Sequence, residues 1–197
     1  MTPSLVLASA SPSRAHMLQQ AGVDLAIMPS DIDEDAIKQS MAGAGRNTED
    51  IATALAVEKA RFISLLRPDA LVIGADQILV CEGRLFDKPV DLAEAASHLR
   101  ALSGFEHHLV TAACVLLDGD VQWQHLSLPR LTMRPLNEDE IIDYLAHIGD
   151  QALTSVGAYQ LEGRGAQLFE AVDGDFFAIL GLPLLPLLAF LRDRGLM

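Results

Sequence analysis

Leu71-Val72-Ile73-Gly74-Ala75-Asp76-Gln77 is the stretch from which the fold is read. Its apolar run of β-branched and small residues predicts a buried strand, and the run passes into a carboxylate followed by an amide. In open α/β sheets, ligands bind beyond the carboxyl ends of strands, where the chain turns and polar side chains converge. Asp76 is accordingly the leading candidate for chemistry. The plainer alternative is that it caps a turn.

Upstream, Ser4 to Ala8 predicts a first, central strand that runs into Ser9-Ala10-Ser11-Pro12-Ser13-Arg14. A helix follows from about Pro12 to Ala21 and closes at Gly22. Pro12 suits the first helical position and the serines before it suit an N-cap. A strand, a hydroxyl-rich turn and a helix N-terminus bearing an arginine make an anion site. The turn offers N–H and O–H donors, and Arg14 offers a planar fork for phosphate oxygens. An ordinary capped helix with an early arginine is the alternative.

Val23 to Met28 is a second strand candidate, followed by Ser30-Asp31-Ile32-Asp33-Glu34-Asp35. These crowded carboxylates suit a solvated loop. They also suit magnesium, which takes one or two carboxylates together with substrate phosphates. Met41-Ala42-Gly43-Ala44-Gly45-Arg46 lacks the lysine of a P-loop and follows no strand, so a flexible connection is expected there. Asn47, with Asp50 three residues on, resembles a capping box for a helix to about Leu66. Its apolar stripe is Ile51, Leu55, Phe62, Ile63 and Leu66. Lys59 falls on the same stripe, so its ammonium must meet an anion or reach out of the core.

Downstream, Ile78 to Cys81 and Arg84 to Phe86 flank Glu82-Gly83 and read as a hairpin. It delivers Asp87-Lys88-Pro89 to a helix from about Leu92 to Leu102, started by Asp91 and Glu94 and ended by Ser103-Gly104. His107 to Leu117 and Val121 to Met133, flanking Asp118-Gly119-Asp120, read as one long antiparallel hairpin. His107 and His108 are adjacent on a strand and point to opposite faces, so they make no joint metal site unaided. Asn137 and Glu140 cap a helix to about His147 with apolar positions Ile141, Ile142, Leu145 and Ile148.

Gly157-Ala158-Tyr159-Gln160-Leu161-Glu162-Gly163-Arg164-Gly165 is a glycine-rich loop with an aromatic, an amide and a carboxylate. It suits either a loop close to a ligand or an irregular connection. Gln167 to Val172 and Phe176 to Leu180 read as a last strand pair. Gly181-Leu182-Pro183 opens a terminal apolar helix whose Arg192 and Arg194 complement its dipole.

The composition narrows the function classes. The 197 residues fit one domain, with or without two lobes, and 50% hydrophobic against 21% charged residues is a globular balance. No apolar run reaches the roughly 18 residues of a spanning helix, and no basic leader precedes the first strand, so a cytoplasmic protein without a membrane partner is expected. Cys81 and Cys114 sit in apolar runs without C-x-x-C spacing, which suits reduced, buried thiols. The net charge of -13 disfavours nucleic-acid polymers. It leaves room for a small anionic ligand in a local cationic pocket, and only three lysines exist to make one, Lys38, Lys59 and Lys88.

In order along nearly the whole chain, these pieces resemble the Maf family of nucleoside triphosphate pyrophosphatases. The resemblance is carried by Leu7-Ala8-Ser9-Ala10-Ser11-Pro12 with Arg14 and Leu18; Asp33-Glu34; Lys59-Ala60; Ile73-Gly74-Ala75-Asp76; Lys88-Pro89; Leu102-Ser103-Gly104 with His107 and Thr111; Gly157-Ala158-Tyr159 with Glu162-Gly163; and Gly181-Leu182-Pro183-Leu184.

The resemblance implies an α/β fold over residues 1–197, a mixed twisted sheet flanked by helices with two lobes around a cleft, similar to inosine triphosphate pyrophosphatases. It implies hydrolysis of a nucleoside triphosphate between its α and β phosphates, giving a monophosphate and pyrophosphate with a divalent cation, Mg2+ or Mn2+. Asp76 matches the proton acceptor, and Ser9, Arg14, Glu34, Lys59 and Lys88 match polar positions around the phosphates. Glu34 and Asp76 are the expected metal ligands. A homodimer is a family-level expectation, and the family is also named for inhibition of septum formation.

Substrate choice rests on Ser13, Gln77 and Glu162. The branch acting on dTTP and UTP looks like Arg, Thr and Gln at these positions, and the branch acting on 7-methyl-GTP has Trp, Gln and Glu. Gln77 and Glu162 side with the latter, and Ser13 matches neither. A carboxylate accepts from the guanine N1–H and N2 amine and favours the positive charge of a methylated purine. Without an aromatic at Ser13, stacking on that base needs another residue. The alternatives are a dTTP/UTP pyrophosphatase and a nucleotide-binding regulator of septum formation that hydrolyses nothing.

Overall fold

A computed structural model describes residues 4–197. In chain order the strands are β1 (Ser4–Leu7), β2 (Ala26–Ile27), β3 (Ala70–Cys81), β4 (Arg84–Phe86), β5 (Glu106–Leu117), β6 (Asp120–Ser127), β7 (Arg130–Met133) and β8 (Phe169–Asp173). The helices are α1 (Pro12–Gln20), α2 (Glu34–Gly43), α3 (Thr48–Leu66), α4 (Leu92–Leu102), α5 (Glu138–Ile148), α6 (Phe176–Ile179) and α7 (Leu184–Asp193). The fold is mixed α/β, with the strand order β2-β1-β3-β5-β7-β8, β4 added to β3 and β6 added to β5. Pairing is parallel among β1, β2 and β3 and antiparallel in the hairpins, so the sheet is mixed.

The chain forms two compact units, each assembled from separated segments. The first comprises the chain through Gln77, Thr111–Ser127 and Gly181–Met197. In it, β1 pairs in parallel with β3, Leu5 opposite Leu71 and Leu7 opposite Ile73, and these side chains are buried. Buried on both faces, such strands need continuous apolar sequence rather than alternation. Helix α3 lies so close to β3 that a Cβ on Gly74 would stand 2.2 Å from the Ala56 carbonyl oxygen and 2.8 Å from the Ala60 Cβ. The Cys114 thiol points to the same Ala56 oxygen at 3.3 Å.

The second unit comprises Ile78–Val110 and Leu128–Leu180. Its core gathers Leu79, Phe86, Leu99, Leu102, Leu109, Leu131, Met133, Ile141, Tyr144 and Tyr159. Strand β7 lies between β5 and β8, with His107 opposite Leu131 and Leu131 opposite Val172. Helix α5 starts with a full capping box, in which Asn137 accepts from the Glu140 N–H at 3.0 Å and Glu140 accepts from the Asn137 N–H at 2.8 Å.

Several expectations change. β3 does not end at Asp76 but runs on to Cys81, because the turn at Glu82 (φ 48°) and Gly83 (φ 75°) returns β4 alongside it. Asp76 therefore sits inside a strand, which removes the turn-capping alternative. The expected strand from Val121 to Met133 is two strands broken at Leu128-Pro129, where proline offers no N–H to a ladder: β6 pairs with Thr111–Leu117 and β7 with Glu106–His108.

Glu34–Gly43 is a helix where a loop and a flexible connection were expected, started by the Asp33 carboxylate accepting from Ala36 N–H at 2.9 Å. Phe176–Ile179 is a short helix rather than a strand, and β8 takes β7 as its partner. The second strand shrinks to Ala26–Ile27. Phe62, Leu66 and Ile142 are exposed, although helical spacing assigns them to apolar stripes.

Candidate active site

The first unit concentrates the charged candidates. Asp76 lies on β3 with Gly74 two residues before it, so both face α3. Lys59, on α3 one turn beyond the bare backbone contact that Gly74 permits, reaches the Asp76 Oδ1 at 2.7 Å. The same Nζ reaches Glu34 Oε2 at 2.7 Å, from the first residue of α2. Lys59 and Asp76 are both less than a tenth exposed, whereas the Glu34 side chain is 42% exposed. One buried ammonium thus holds two carboxylates, one deep and one open to solvent.

Arg14 completes the cluster from the first turn of α1. Ser11 caps that helix, its hydroxyl accepting from the Arg14 N–H at 3.4 Å. The guanidinium donates to Ser9 Oγ from Nη1 at 3.1 Å and to the Gly181 carbonyl from Nε at 2.8 Å. Burial pulls the Arg14 pKa down from its ordinary value, while the Asp76 and Glu34 charges act in the opposite direction. Ser9, buried, also accepts from the Ser11 N–H at 3.2 Å. Gly181 has φ +102°, and a Cβ there would touch the Arg14 Nε at 3.4 Å, so a glycine lets its carbonyl seat the arginine.

Of the predicted residues, this unit brings together Ser9, Arg14, Glu34, Lys59 and Asp76. Ser13 is half-buried beside Arg14 on α1. Gln77 follows Asp76 on the strand and so faces the other side of the sheet, where its Nε2 donates to the buried Thr111 Oγ1 at 2.8 Å. Lys88 and Glu162 belong to the second unit, and both are exposed there. Lys88 rides on a fastened turn: Pro89 is buried, the Val90 N–H donates to Glu94 Oε2 at 2.8 Å, and Asp91 caps α4 through Glu94 N–H at 2.8 Å.

In the glycine-rich stretch, Tyr159 turns inward and meets His107 Nε2 at 2.9 Å, packed against Phe169. That aromatic is core rather than ligand-facing, while Glu162 remains at the surface. Sequence reasoning assigned no part to the Gly181 carbonyl or the Thr111 hydroxyl. Their partners lie 167 and 34 residues away, and no local pattern marks such pairs.

Among the described residues, no group of three or more His, Cys, Asp or Glu converges. The donors at hand for a cation are the hard carboxylate oxygens of Glu34 and Asp76. Hard carboxylate oxygens suit magnesium or manganese, which take one or two carboxylates plus substrate phosphates.

Fold and site define a mixed α/β protein whose buried ammonium, guanidinium and paired carboxylates face one another at the helix-covered side of a strand. The chain belongs to the Maf family: the family model described as "Maf-like protein" matches residues 4–194. It is 50% identical over 195 residues to a 7-methyl-GTP pyrophosphatase of Rhizobium etli, covering 99% of this chain and 98% of that protein. It is also 51% identical over 190 residues to a nucleoside triphosphate pyrophosphatase of Granulibacter bethesdensis, covering 96% of each. A solved nucleoside-triphosphatase / dITP/XTP pyrophosphatase from Mycobacterium abscessus aligns over 98% of this chain and 94% of its own at 13% identity and a TM-score of 0.39.

Proposed function

We propose that this protein is a nucleoside triphosphate pyrophosphatase that cleaves between the α and β phosphates, with 7-methyl-GTP as its preferred substrate. Family membership and the names of relatives half identical over nearly the full chain support the reaction. The observation that carries the mechanism is Lys59 joined to both Asp76 and Glu34 beside Arg14.

Hydrolysis requires an oriented water, a proton acceptor and cations on the phosphate oxygens. In the nucleotide-free protein Asp76 Oδ1 is held by Lys59, which keeps the carboxylate in place on its strand until substrate arrives. As that water's oxygen bonds to the α-phosphorus, the bond to the α–β bridging oxygen breaks. Asp76 takes the water's proton, and pyrophosphate leaves. Arg14, locked by Ser9 and the Gly181 carbonyl, presents its remaining N–H groups to phosphate oxygens. Lys59 supplies further positive charge there, and Lys88, exposed on the second unit, is the other lysine matched to the phosphates by the family resemblance.

A divalent cation on Glu34, Asp76 and the triphosphate would neutralise phosphate charge and acidify the attacking water. For base selection, the exposed Glu162 carboxylate accepts from the guanine N1–H and N2 amine. The amide of Gln77 is held by Thr111 on the face of β3 away from Asp76, so it is assigned no contact with the base.

The test is pyrophosphate release from 7-methyl-GTP, dTTP, UTP and CTP with Mg2+ or Mn2+. Preference for 7-methyl-GTP that Glu162→Gln reduces is the expected outcome. Preference for dTTP or UTP would keep the reaction and remove the base assignment. Nucleotide binding without any release would make the protein a non-hydrolysing binder.

A further inference from the structure

The cluster in the first unit balances its own charge. Asp76 and Glu34 contribute two negative charges, and Lys59 and Arg14 two positive ones. Lys59 Nζ stands 2.7 Å from a carboxylate oxygen on each side, which is where a shared cation between the two acids would act. Placing a divalent ion beside these groups without further anions would leave buried positive charge in excess, and buried charge is tolerated only when paired. A triphosphate brings the missing negative charge.

We infer that Lys59 is an internal stand-in for the divalent cation, so that the nucleotide-free protein binds metal weakly and the metal site forms when phosphate oxygens draw the ammonium off Glu34 and Asp76. The exposure of the two acids gives the exchange a direction. Glu34 is the carboxylate open to solvent and starts a helix that has no buried residue of its own. Its side chain can release Lys59 without disturbing a core. Asp76 stays in place on its strand. The flexible four-carbon stem of lysine allows one ammonium to serve the carboxylates first and the phosphates afterwards. This inference rests on the pyrophosphatase reading for the identity of the incoming anion, but metal binding to the free protein tests it independently.

The experiment is titration of nucleotide-free protein with Mn2+, following the free-ion paramagnetic resonance signal, for wild type, Lys59→Met and Lys59→Arg. Removing the ammonium is expected to tighten Mn2+ binding at least tenfold, and Lys59→Arg, which keeps the charge, is expected to stay as weak as wild type. In the double variant Lys59→Met/Asp76→Asn the gain should disappear. If Lys59→Met binds Mn2+ no better than wild type, the inference is overturned.

Lys59→Met leaves two acids without their cation, so folding is followed in parallel by thermal melting, where Mn2+ should raise the variant's midpoint and leave wild type nearly unchanged. Should the variant not fold even with Mn2+, the wild-type titration decides. Weak binding to the free protein that strengthens at least tenfold with a non-hydrolysable α,β-methylene triphosphate, beyond the ion's binding to that analogue alone, supports the inference. Equally tight binding with and without the analogue refutes it. An inactive protein that shows these metal affinities would separate failure of the pyrophosphatase reading from failure of this one.

Discussion

Asp76 and Lys59 meet because a strand and a helix are pressed together at a glycine, and their contact is where single substitutions should be most informative. Asp76→Asn keeps an oxygen for the Lys59 bond but removes the proton acceptor. Pyrophosphate release should fall at least about a hundredfold, the usual lower range for losing a general base, measured below a melting temperature that drops because Lys59 keeps only Glu34 as its anion. A loss of only a few-fold would place the base elsewhere. Arg14 was legible as a candidate phosphate ligand from its position on a first helical turn. Its seat on the Gly181 carbonyl was not, since the two residues are 167 positions apart. Lys59 was marked by an inward-facing charge on an apolar stripe, yet only the folded chain shows that it has two acids to hold rather than one.

At the scale of elements, α3 and β3 are locked by the absence of a side chain at Gly74. A methyl group there would sit 2.2 Å from a helix carbonyl that cannot move alone. Gly74→Ala should therefore destabilise the protein by about 3 kcal/mol, at the upper end of overpacking costs, measured by urea unfolding. It should also loosen the Lys59 to Asp76 contact and reduce turnover. At α5, Asn137→Ala removes one arm of a capping box and should cost about 1 kcal/mol in the same assay, without changing catalysis.

Caps and tight turns were readable in advance because they depend on a few neighbouring residues. Asn47, Asp91 and Asn137 all cap the helices they were expected to start. Where periodicity was asked to decide, it misjudged Phe62, Leu66 and Ile142, because helical spacing names a face and not what covers it. The helix at Glu34–Gly43 was missed for a related reason. It buries no side chain, so it has no apolar period to detect.

For the molecule as a whole, acid sensitivity follows from buried histidine. His107, in the core of the second unit, has its pKa lowered by burial to about 4. The unfolded chain, with a histidine pKa near ~6.5, then binds a proton that the folded protein refuses between those two values. This group thus leaves stability unchanged above about pH 6.5 and subtracts from it as pH falls toward 4, by about 3 kcal/mol in all. Urea unfolding at pH 7 and pH 5 should show about 2 kcal/mol of that loss in wild type and a smaller pH dependence in His107→Leu. An equal slope in both would assign the acid sensitivity to other groups. No single sequence boundary separates the two units, since each is built from separated segments and β3 and β5 run through both. No linker composition could have announced them.

The sequence by itself determined the first central strand, the helix caps, the hairpin turns and the residue types of the candidate site, together with the family they resemble. Each of these is set by neighbours in the chain or by an ordered series of short motifs. Only the tertiary structure decided that Asp76 lies within a strand, that one expected strand breaks at Pro129, that Tyr159 turns into the core, and that Lys59 stands between two carboxylates. Those outcomes depend on which distant segment comes to lie alongside, and pairing, burial and charge neutrality are settled between segments rather than along them.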